Sequence, residues 1–216
     1  MQRSLILGAT GGIGTALMAA LPDAAGLSRA DGLDWLNPCA AEATLLSTDG
    51  PFDLVFDATG ALEVNEQGPE KQLKAIDAQA MAQQFAVNAI GPALILKHYK
   101  HLLPRTGRTV IATLSARVGS IEDNGLGGWI SYRAAKAALN QIVKTASIEI
   151  ARWNPDAIVV ALHPGTVATG LSANFAGNRD TFTPAEAADK LLRVLDNLTP
   201  ADTGGFFGYD GSRIPW

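Results

Sequence analysis

The sequence contains a single cysteine, Cys39, which excludes an internal disulfide framework and fits a reducing compartment. It has no block of basic residues and a formal net charge of −4, so nucleic acid and anionic membranes are poor candidates for its main partner. No apolar run approaches the length that spans a bilayer, and the apolar start of the chain reaches glycines too early for a signal peptide. We therefore expect a cytoplasmic protein.

The rest of the composition is that of an ordinary globular chain. It has 216 residues, of which 47% are hydrophobic and 18% are charged. A chain of this length can bury a substantial core within one domain. Because no internal repeat, low-complexity segment or linker divides it, we predict a single domain over residues 1–216.

Short apolar runs alternate with helical patterns from one end of the chain to the other. The predicted strands lie at residues 4–9, 24–29, 32–36, 52–60, 108–116, 156–165 and 204–211. The predicted helices lie at residues 10–21, 38–47, 70–103, 127–151 and 183–198, with a kink or break at Gly91-Pro92 in the longest and Thr183 as the N-cap of the last. This alternation predicts an α/β fold in which a doubly wound parallel sheet of about seven strands carries helices on both faces.

A glycine-rich turn joins the first strand to the first helix. Gly8, Gly12 and Gly14 in "GATGGIG" allow a tight turn and a close approach of backbone to a pyrophosphate. The N-terminus of the following helix adds free N–H groups and the positive end of its dipole. These features predict a Rossmann-type dinucleotide site, with a tight turn that binds no ligand as the alternative.

The second predicted strand ends at Ser28-Arg29, about 20 residues after the first glycine. In a dinucleotide fold this position meets the adenosine ribose, where an acidic residue bonds the 2′-hydroxyl and an arginine accepts a 2′-phosphate. Because no carboxylate stands at the strand end and a guanidinium suits phosphate, we predict NADP(H) rather than NAD(H). The alternative is that Arg29 is an ordinary exposed arginine.

Tyr132 and Lys136 lie four residues apart in the helical pattern "YRAAK", so they share one helix face. A free tyrosine titrates near pH ~10, and a nearby ammonium group favours the phenolate and lowers that pKa. Reduction of a carbonyl by a nicotinamide needs an acid for the forming alkoxide. The pair is therefore a candidate acid–base device, in which Tyr132 exchanges a proton with the substrate oxygen and Lys136 lowers the tyrosine pKa.

These motifs occur in an order that resembles the short-chain dehydrogenase/reductase family. The spacing G-x-x-x-G-x-G is followed by "DATG", "VNAIGP", a serine after the fifth strand, "YRAAK" and "HPGTVAT". Within the family, the C-factor-like branch is most similar, in "FAVNAIGPALILKH", "SARVGSI", "DNGLGGWISYRAAKAALN" and the ending "YDGSRIPW". The resemblance covers nearly the whole chain. Asp57 and Thr59 depart from the family's N-N-A-G motif, so we expect any role of Asp57 in holding the sheet to differ from that of the family's amide.

The resemblance implies catalytic roles for Asn88 and Ser115 beside the tyrosine–lysine pair. Lys136 would also hold the nicotinamide ribose, and Asn88 would distort its helix and hold a water on the proton path to the lysine. Ser115 would bond the substrate oxygen, although a gapless match to the family's N-I-S-S places Ala116 in the serine column. Ser120 or a backbone group is the alternative for that role.

The resemblance also marks residues that would contact the cofactor and the substrate. "HPGTVAT" resembles the segment that holds the nicotinamide carboxamide, and Asp34-Trp35 resembles the segment that borders the adenine. Phe175, Phe182 and Trp129 would either line an apolar substrate pocket or be plain packing residues. The predicted cofactor-binding residues are Gly8, Thr10, Gly12, Ile13, Gly14, Ser28, Arg29, Asp34, Trp35, Ala58, Thr59, Gly60, Asn88, Tyr132, Lys136, Pro164, Gly165, Val167 and Thr169.

We therefore predict an oxidoreductase that transfers a hydride between NADP(H) and a small carbonyl or alcohol. One alternative is a nucleotide-binding signalling protein with little turnover, since the namesake of the C-factor-like branch is linked to developmental signalling. Another is an epimerase or dehydratase, for which the roughly 50 residues after the sixth strand are too few. The family's usual pairing of helices implies a homodimer or homotetramer. His98 and His101 share a helix face without a visible third ligand, so we predict no metal site.

Overall fold

Six of the predicted strands form, and all six lie in one parallel sheet. The computed structural model describes residues 3–65, 67–170 and 181–216. The strands are β1 (Ser4–Leu7), β2 (Ala25–Leu27), β3 (Leu54–Asp57), β4 (Thr109–Leu114), β5 (Ala157–His163) and β6 (Phe206–Gly208). Every residue of β1, β3, β4 and β6 is buried, as expected for branched apolar strands covered on both faces.

The strand order is β2-β1-β3-β4-β5-β6. The chain moves outward from β1 to β2 and then crosses back to β3 on the other side of β1, so the direction of winding reverses there. In open parallel sheets, ligands bind at the carboxyl ends of the strands beside such a reversal. The register brings Leu7 level with Asp57, and Asp57 level with Thr113. The ends of β1, β3 and β4 therefore form one common edge.

Helices cover both faces of this sheet. They are α1 (Gly12–Ala20), α2 (Pro38–Leu46), α3 (Ala78–Phe85), α4 (Gly91–Lys97), α5 (Tyr99–Leu102), α6 (Ile130–Trp153) and α7 (Pro184–Asn197). Because successive strand residues point to opposite sides, Leu5 and Leu7 pack with α2, α4 and α6, whereas Ile6 packs with α1 and α7. Within the described ranges, no helix is long and apolar enough to cross a bilayer.

Residues 32–36 do not form the short third strand that we predicted, and the sheet therefore has six strands rather than about seven. Gly32 takes a left-handed conformation and ends a 3-10 turn at Arg29–Asp31. Trp35 then turns into the core, where a Cβ added to Gly91 would overlap its indole ring. Tertiary packing of Trp35, and not local strand propensity, decides the conformation of this segment.

The helix predicted over residues 70–103 is divided differently from the prediction. It begins at Ala78 rather than at residue 70. The kink or break predicted at Gly91-Pro92 is wrong in position, because both residues are helical and the irregularity is a π-helical turn at Ala86–Ile90, directly before them. Pro92 has no N–H to donate to the preceding turn, and the wider π turn accommodates this loss.

The last two helices agree more closely with the sequence. α6 begins at Ile130 rather than at residue 127 and extends to Trp153. α7 begins at Pro184. The Thr183 hydroxyl accepts a hydrogen bond from the Glu186 N–H, and the Glu186 carboxylate accepts from the Thr183 N–H in return. This reciprocal capping box confirms the predicted N-cap.

Candidate active site

The carboxyl ends of the central strands open into a cavity of about 770 Å³. The segments that line it are the turn after β1, the turn after β3, the loop after β4, the start of α6 and the segment after β5. The predicted site residues that line it are Thr10, Gly12, Ile13, Ala58, Thr59, Gly60, Ser115, Tyr132, Lys136, Pro164, Gly165, Val167 and Thr169. Predicted residues that do not line it are Gly8, Gly14, Ser28, Arg29, Asp34, Trp35 and Asn88.

In the glycine turn after β1, two glycines allow close packing and two others face the cavity. Gly8 has a φ of 81°, and a Cβ there would lie 2.9 Å from the Ala58 carbonyl oxygen. A Cβ on Gly14 would overlap the carbonyl oxygen of Gly8. Gly11 and Gly12 instead face the cavity at the start of α1, where no side chain caps the helix. The first turn of α1 can therefore offer its backbone N–H groups to a pyrophosphate.

At the end of β2, the side chains of Ser28 and Arg29 differ in their exposure to solvent. Ser28 is buried, and its hydroxyl and its N–H both donate to the Asp31 carboxylate, at 2.7 and 2.9 Å. Arg29 is exposed beside it at the start of the 3-10 turn. Neither side chain lines the cavity itself. Arg29 is the cationic group at this strand end that solvent, or a phosphate, can reach.

The structure brings neither Asp34 nor Trp35 to the cavity. The Asp34 carboxylate accepts a hydrogen bond from the Leu36 N–H at 3.1 Å and shapes a local turn. Trp35 is only 4% exposed, and its indole N–H donates to the Thr59 hydroxyl at 3.2 Å. Because Thr59 does line the cavity, Trp35 supports the cavity wall from behind.

The turn after β3 is fastened by Asp57, which is 1% exposed. One carboxylate oxygen accepts from the N–H and the hydroxyl of Thr59, at 2.9 and 2.5 Å, and the other accepts from the Thr113 hydroxyl at 2.7 Å. Burial raises the pKa of Asp57, and its hydrogen bonds and the charge of Lys136 oppose that rise. Asp57 thus ties the "DATG" turn to β4 with a carboxylate where the family has an amide.

Asn88 lies in the π-helical turn and is fully buried. Its amide nitrogen donates to the Ala61 carbonyl and to the Gln84 side chain, both at 2.8 Å, and its oxygen accepts from the Ala61 N–H at 3.1 Å. A Cβ on Gly60 would lie 3.2 Å from the Asn88 oxygen and 3.4 Å from the Lys136 nitrogen. Asn88 therefore holds the chain next to the lysine without lining the cavity. π-helical turns of this kind are frequent at functional sites.

Tyr132 and Lys136 share one face of α6 and are 8% and 3% exposed. The lysine nitrogen lies 5.9 Å from the centre of the tyrosine ring and donates to the Leu114 carbonyl at 2.8 Å. Burial lowers the pKa of Lys136 to about 8, although Asp57 opposes this effect. Burial also raises the pKa of Tyr132, contrary to our expectation that the lysine lowers it. Desolvation by burial disfavours the charged phenolate and is the cause of this rise.

Of the two candidate serines, only Ser115 lines the cavity. Its hydroxyl donates to the Asn140 side-chain oxygen at 2.7 Å, so its proton is already engaged with α6. Ala116 lines the cavity beside it. The Ser120 hydroxyl instead donates to the Trp216 carbonyl at 3.3 Å and accepts from the Asp123 N–H at 3.1 Å.

The segment after β5 closes over the glycine turn. Gly165 has a φ of 78°, and a Cβ there would lie 2.8 Å from the Phe182 ring. The Phe182 ring packs edge-on against Tyr209, with ring centres 4.7 Å apart, and does not line the cavity. The Thr169 side chain lies directly over Gly12. Trp129 does line the cavity, edge-on to the tyrosine ring, whereas Phe175 lies outside the described residues.

The sequence did not indicate several further polar residues of the cavity wall. Arg117 and Asp123 form an ion pair at 2.5 Å, and Arg133 donates to three carbonyls of the loop before α6. His163 is neutral at pH 7, because burial and then the nearby Arg117 lower its pKa to about 4.

His98, which we considered as a metal ligand, bonds Glu42 at 2.6 Å. Among residues 3–65, 67–170 and 181–216 no cluster of three possible metal ligands occurs.

Comparison with known proteins gives matches over most of the chain. A family model described as enoyl-(acyl carrier protein) reductase matches residues 39–212. The chain is 34% identical over 196 residues to the 1-hydroxy-2-glutathionyl-2-methyl-3-butene dehydrogenase of Rhodococcus sp. strain AD45, covering 89% of this chain and 82% of that protein. It is 34% identical over 169 residues to the C-signal protein of Myxococcus xanthus, covering 77% and 94%. The NADPH-bound carbonyl reductase from chicken fatty liver has a similar structure, with a TM-score of 0.80 at 23% identity and coverage of 99% and 98%.

The parallel sheet, the cavity at its carboxyl edge and the ordered motifs define a Rossmann-type α/β protein. The matches agree with the resemblance seen in the sequence. The chain belongs to the short-chain dehydrogenase/reductase family.

Proposed function

We propose that the protein transfers a hydride between NADP(H) and a small carbonyl or alcohol, with Tyr132 as the acid–base residue. The observation that carries this proposal is the buried Tyr132–Lys136 pair, which faces a cavity whose other end is the glycine turn of a dinucleotide fold. When bound, the nicotinamide supplies or accepts the hydride. The protein's own residues would bind and orient both partners and move the proton.

Proton transfer would use the two groups in different ways in the two directions. Because burial raises the pKa of Tyr132, the phenol keeps its proton at neutral pH and can donate it to a carbonyl oxygen that gains negative charge. In alcohol oxidation the same oxygen must accept a proton. The phenolate that forms on reduction, or that starts oxidation, would be stabilised by the ammonium of Lys136. Lys136 would also hold the nicotinamide ribose, as in the family.

The cofactor would be bound by separate parts of the cavity and its rim. The first turn of α1 offers N–H groups to the pyrophosphate. Exposed Arg29 would bond the 2′-phosphate, which favours NADP(H). The NADPH-bound chicken carbonyl reductase supports this choice, since its fold is the same.

A second candidate is a nucleotide-binding regulatory protein with little turnover. The likeness to the C-signal protein favours it, as does the engagement of Ser115 with Asn140 in place of a free donor for substrate.

For either function we propose a homodimer or homotetramer that uses the helices of Asn88 and Tyr132. Exposed Ile90 and Ile148, on the π turn and α6, support such a contact.

Nucleotide binding is tested by fluorescence titration of the purified protein with NADPH and, separately, NADH. We expect Arg29→Ala to weaken NADPH binding by roughly 10- to 100-fold, the effect of losing a charge-assisted hydrogen bond, with little change for NADH. Arg152→Ala, at an exposed arginine of α6, is the matched control. Equal binding of both nucleotides by the wild type would contradict the role of Arg29.

Turnover is tested with a panel of aldehydes and ketones. We expect Tyr132→Phe to lower kcat by roughly 1,000-fold while NADPH binding is kept. Tyr99→Phe is the matched control, since Tyr99 is also buried but bonds Glu149 away from the cavity. Activity that survives in Tyr132→Phe would refute the acid–base role, and a wild type that binds NADPH without any turnover would favour the regulatory protein.

A further inference from the structure

The helix that carries Tyr132 has no N-terminal cap within its own sequence. The N–H groups of the first turn of a helix have no intrahelical partner and need an external acceptor. Here the N-cap position is Trp129, which has a left-handed conformation (φ 53°, ψ 41°) and makes no side-chain capping hydrogen bond. No acidic residue lies in the first turn of α6.

Glu70 supplies the missing acceptor from a distant part of the chain. Its carboxylate accepts a hydrogen bond from the Ser131 hydroxyl and another from the Ser131 N–H, the latter at 3.2 Å. Its backbone carbonyl accepts from the Trp129 N–H at 2.5 Å. Ser131 is 2% exposed, and Glu70 bonds it from a partly exposed position. The main chain and the side chain of Glu70 thus hold Trp129 and Ser131, which lie three residues and one residue before Tyr132.

The charge of Glu70 also suits this place. Burial alone would raise the pKa of Glu70, but the hydrogen bonds from Ser131 and from its own backbone outweigh burial and lower the pKa. The carboxylate is therefore ionised at neutral pH, and it lies at the positive end of the α6 dipole.

We propose that Glu70 is a positioning residue. From the segment of residues 67–77 it caps the first turn of α6, and it thereby fixes Tyr132 relative to Lys136. This inference rests on the proposed function. Lys136 lies one turn further along and is anchored separately, by its bond to the Leu114 carbonyl. If the first turn of α6 loosens, Tyr132 moves while Lys136 stays, so the geometry of the pair depends on the cap.

The rest of α6 does not depend on this cap. The helix extends over 24 residues, and its buried residues continue through Leu139, Val143 and Ile150 into the core. Loss of a cap at one end should therefore lower Tm by only about 3 °C. Its effect on turnover should be larger, since a displacement of about 1 Å at a reacting group can lower the rate roughly 100-fold.

The experiment compares Glu70→Ala and Glu70→Gln with Glu63→Ala, at an exposed glutamate of the same connection between β3 and α3. Hydrogen exchange followed by mass spectrometry is measured on peptides that cover residues 129–136 and 139–150. In Glu70→Ala we expect exchange in the first peptide to become roughly 5- to 10-fold faster, as for a lost cap, with no change in the second. We expect kcat to fall roughly 10- to 100-fold at unchanged NADPH affinity, with partial recovery in Glu70→Gln, which keeps one acceptor oxygen.

Two results would overturn the inference. The first is unchanged exchange in residues 129–136 of Glu70→Ala, and the second is faster exchange with wild-type kcat. If the wild type itself shows no turnover, the proposed function fails separately, and the exchange measurement alone then decides whether Glu70 fixes the turn that holds Tyr132.

Discussion

Replacing Asp57 by asparagine is expected to move the alkaline limit of carbonyl reduction to lower pH. The Asp57 carboxylate is buried and accepts hydrogen bonds from Thr59 and Thr113. Asparagine keeps an acceptor oxygen for Thr59, and its amide nitrogen can donate to the Thr113 hydroxyl. The substitution therefore removes one charge and preserves the turn. Lys136 then loses the charge that opposes the effect of burial on its pKa.

The size of the effect follows from the positions of the two charges. The Asp57 carboxylate bonds Thr113 and the Lys136 ammonium bonds the carbonyl of Leu114, which are neighbours in β4. Adjacent Cα atoms are ~3.8 Å apart and each charge lies one hydrogen bond from its partner, so the charges are within roughly 10 Å of each other, and we take roughly 7 Å for the estimate. At an effective dielectric constant of about 20, their interaction is about 2 kcal/mol, enough to move the alkaline limit by about one pH unit or more.

The direction follows from which form of the lysine is active. The ammonium form of Lys136 exists below its pKa, which burial lowers to about 8 against the opposing charge of Asp57. Without that charge the ammonium form is lost at lower pH, so kcat/KM in Asp57→Asn should decline earlier as the pH rises.

The assay is kcat/KM for one carbonyl substrate with NADPH between about pH 6 and pH 10. Asp156→Asn, at an exposed aspartate just before β5, changes the net charge equally and should keep the wild-type profile. Tm of each variant shows whether the fold is kept. An alkaline limit in Asp57→Asn that coincides with the wild type, or lies at higher pH, would refute the coupling of the two charges.

Two further substitutions test the serine and the glycine turn. If the Ser115 hydroxyl turns from Asn140 to the substrate oxygen, Ser115→Ala is expected to lower kcat by about 100-fold. Ser120→Ala should leave kcat unchanged. The opposite pattern in steady-state kinetics would assign the role to Ser120. Gly14→Ala places a Cβ on a backbone oxygen and should lower the free energy of unfolding in urea by about 3 kcal/mol. Gly125→Ala meets open space and should change it by less than about 0.5 kcal/mol, and equal effects would contradict the tight packing of the turn.

The parts of the fold that the sequence predicts are those decided by short-range patterns. Strands buried on both faces are continuous branched apolar runs, and the runs that became β3, β4 and β5 were predicted for that reason. The glycine turn and the "YRAAK" pair are local as well, since their spacing alone brings the groups together. Residues 32–36 were predicted wrongly because the packing of Trp35 on Gly91 joins positions far apart in the chain.

The parts of the candidate site that the sequence does not predict depend on long-range contacts. Glu70 reaches Ser131 across 61 positions, and Ser115 reaches Asn140 across 25. No spacing rule connects such pairs. The pKa of Tyr132 is a similar case, because it depends on how much of the phenol is buried, which only the packing around α6 determines.

The buried polar cluster at the cavity wall has no explanation in the stability of the fold. Asp57, Asn88 and Lys136 are all at most 3% exposed, and removing charged groups from water is unfavourable by several kcal/mol per ion even when they are paired. Apolar residues of similar volume would hold the sheet at least as well. Lys136 lines the cavity itself, and Asn88 adjoins it through Gly60, at the edge where a dinucleotide fold binds its ligand. A protein that only binds a nucleotide could use Lys136 to hold the ribose, but it would have no need for a phenol beside that lysine, whereas proton transfer needs one. Turnover in Tyr132→Phe, rather than nucleotide binding, is therefore the measurement that separates the enzyme from the regulatory protein.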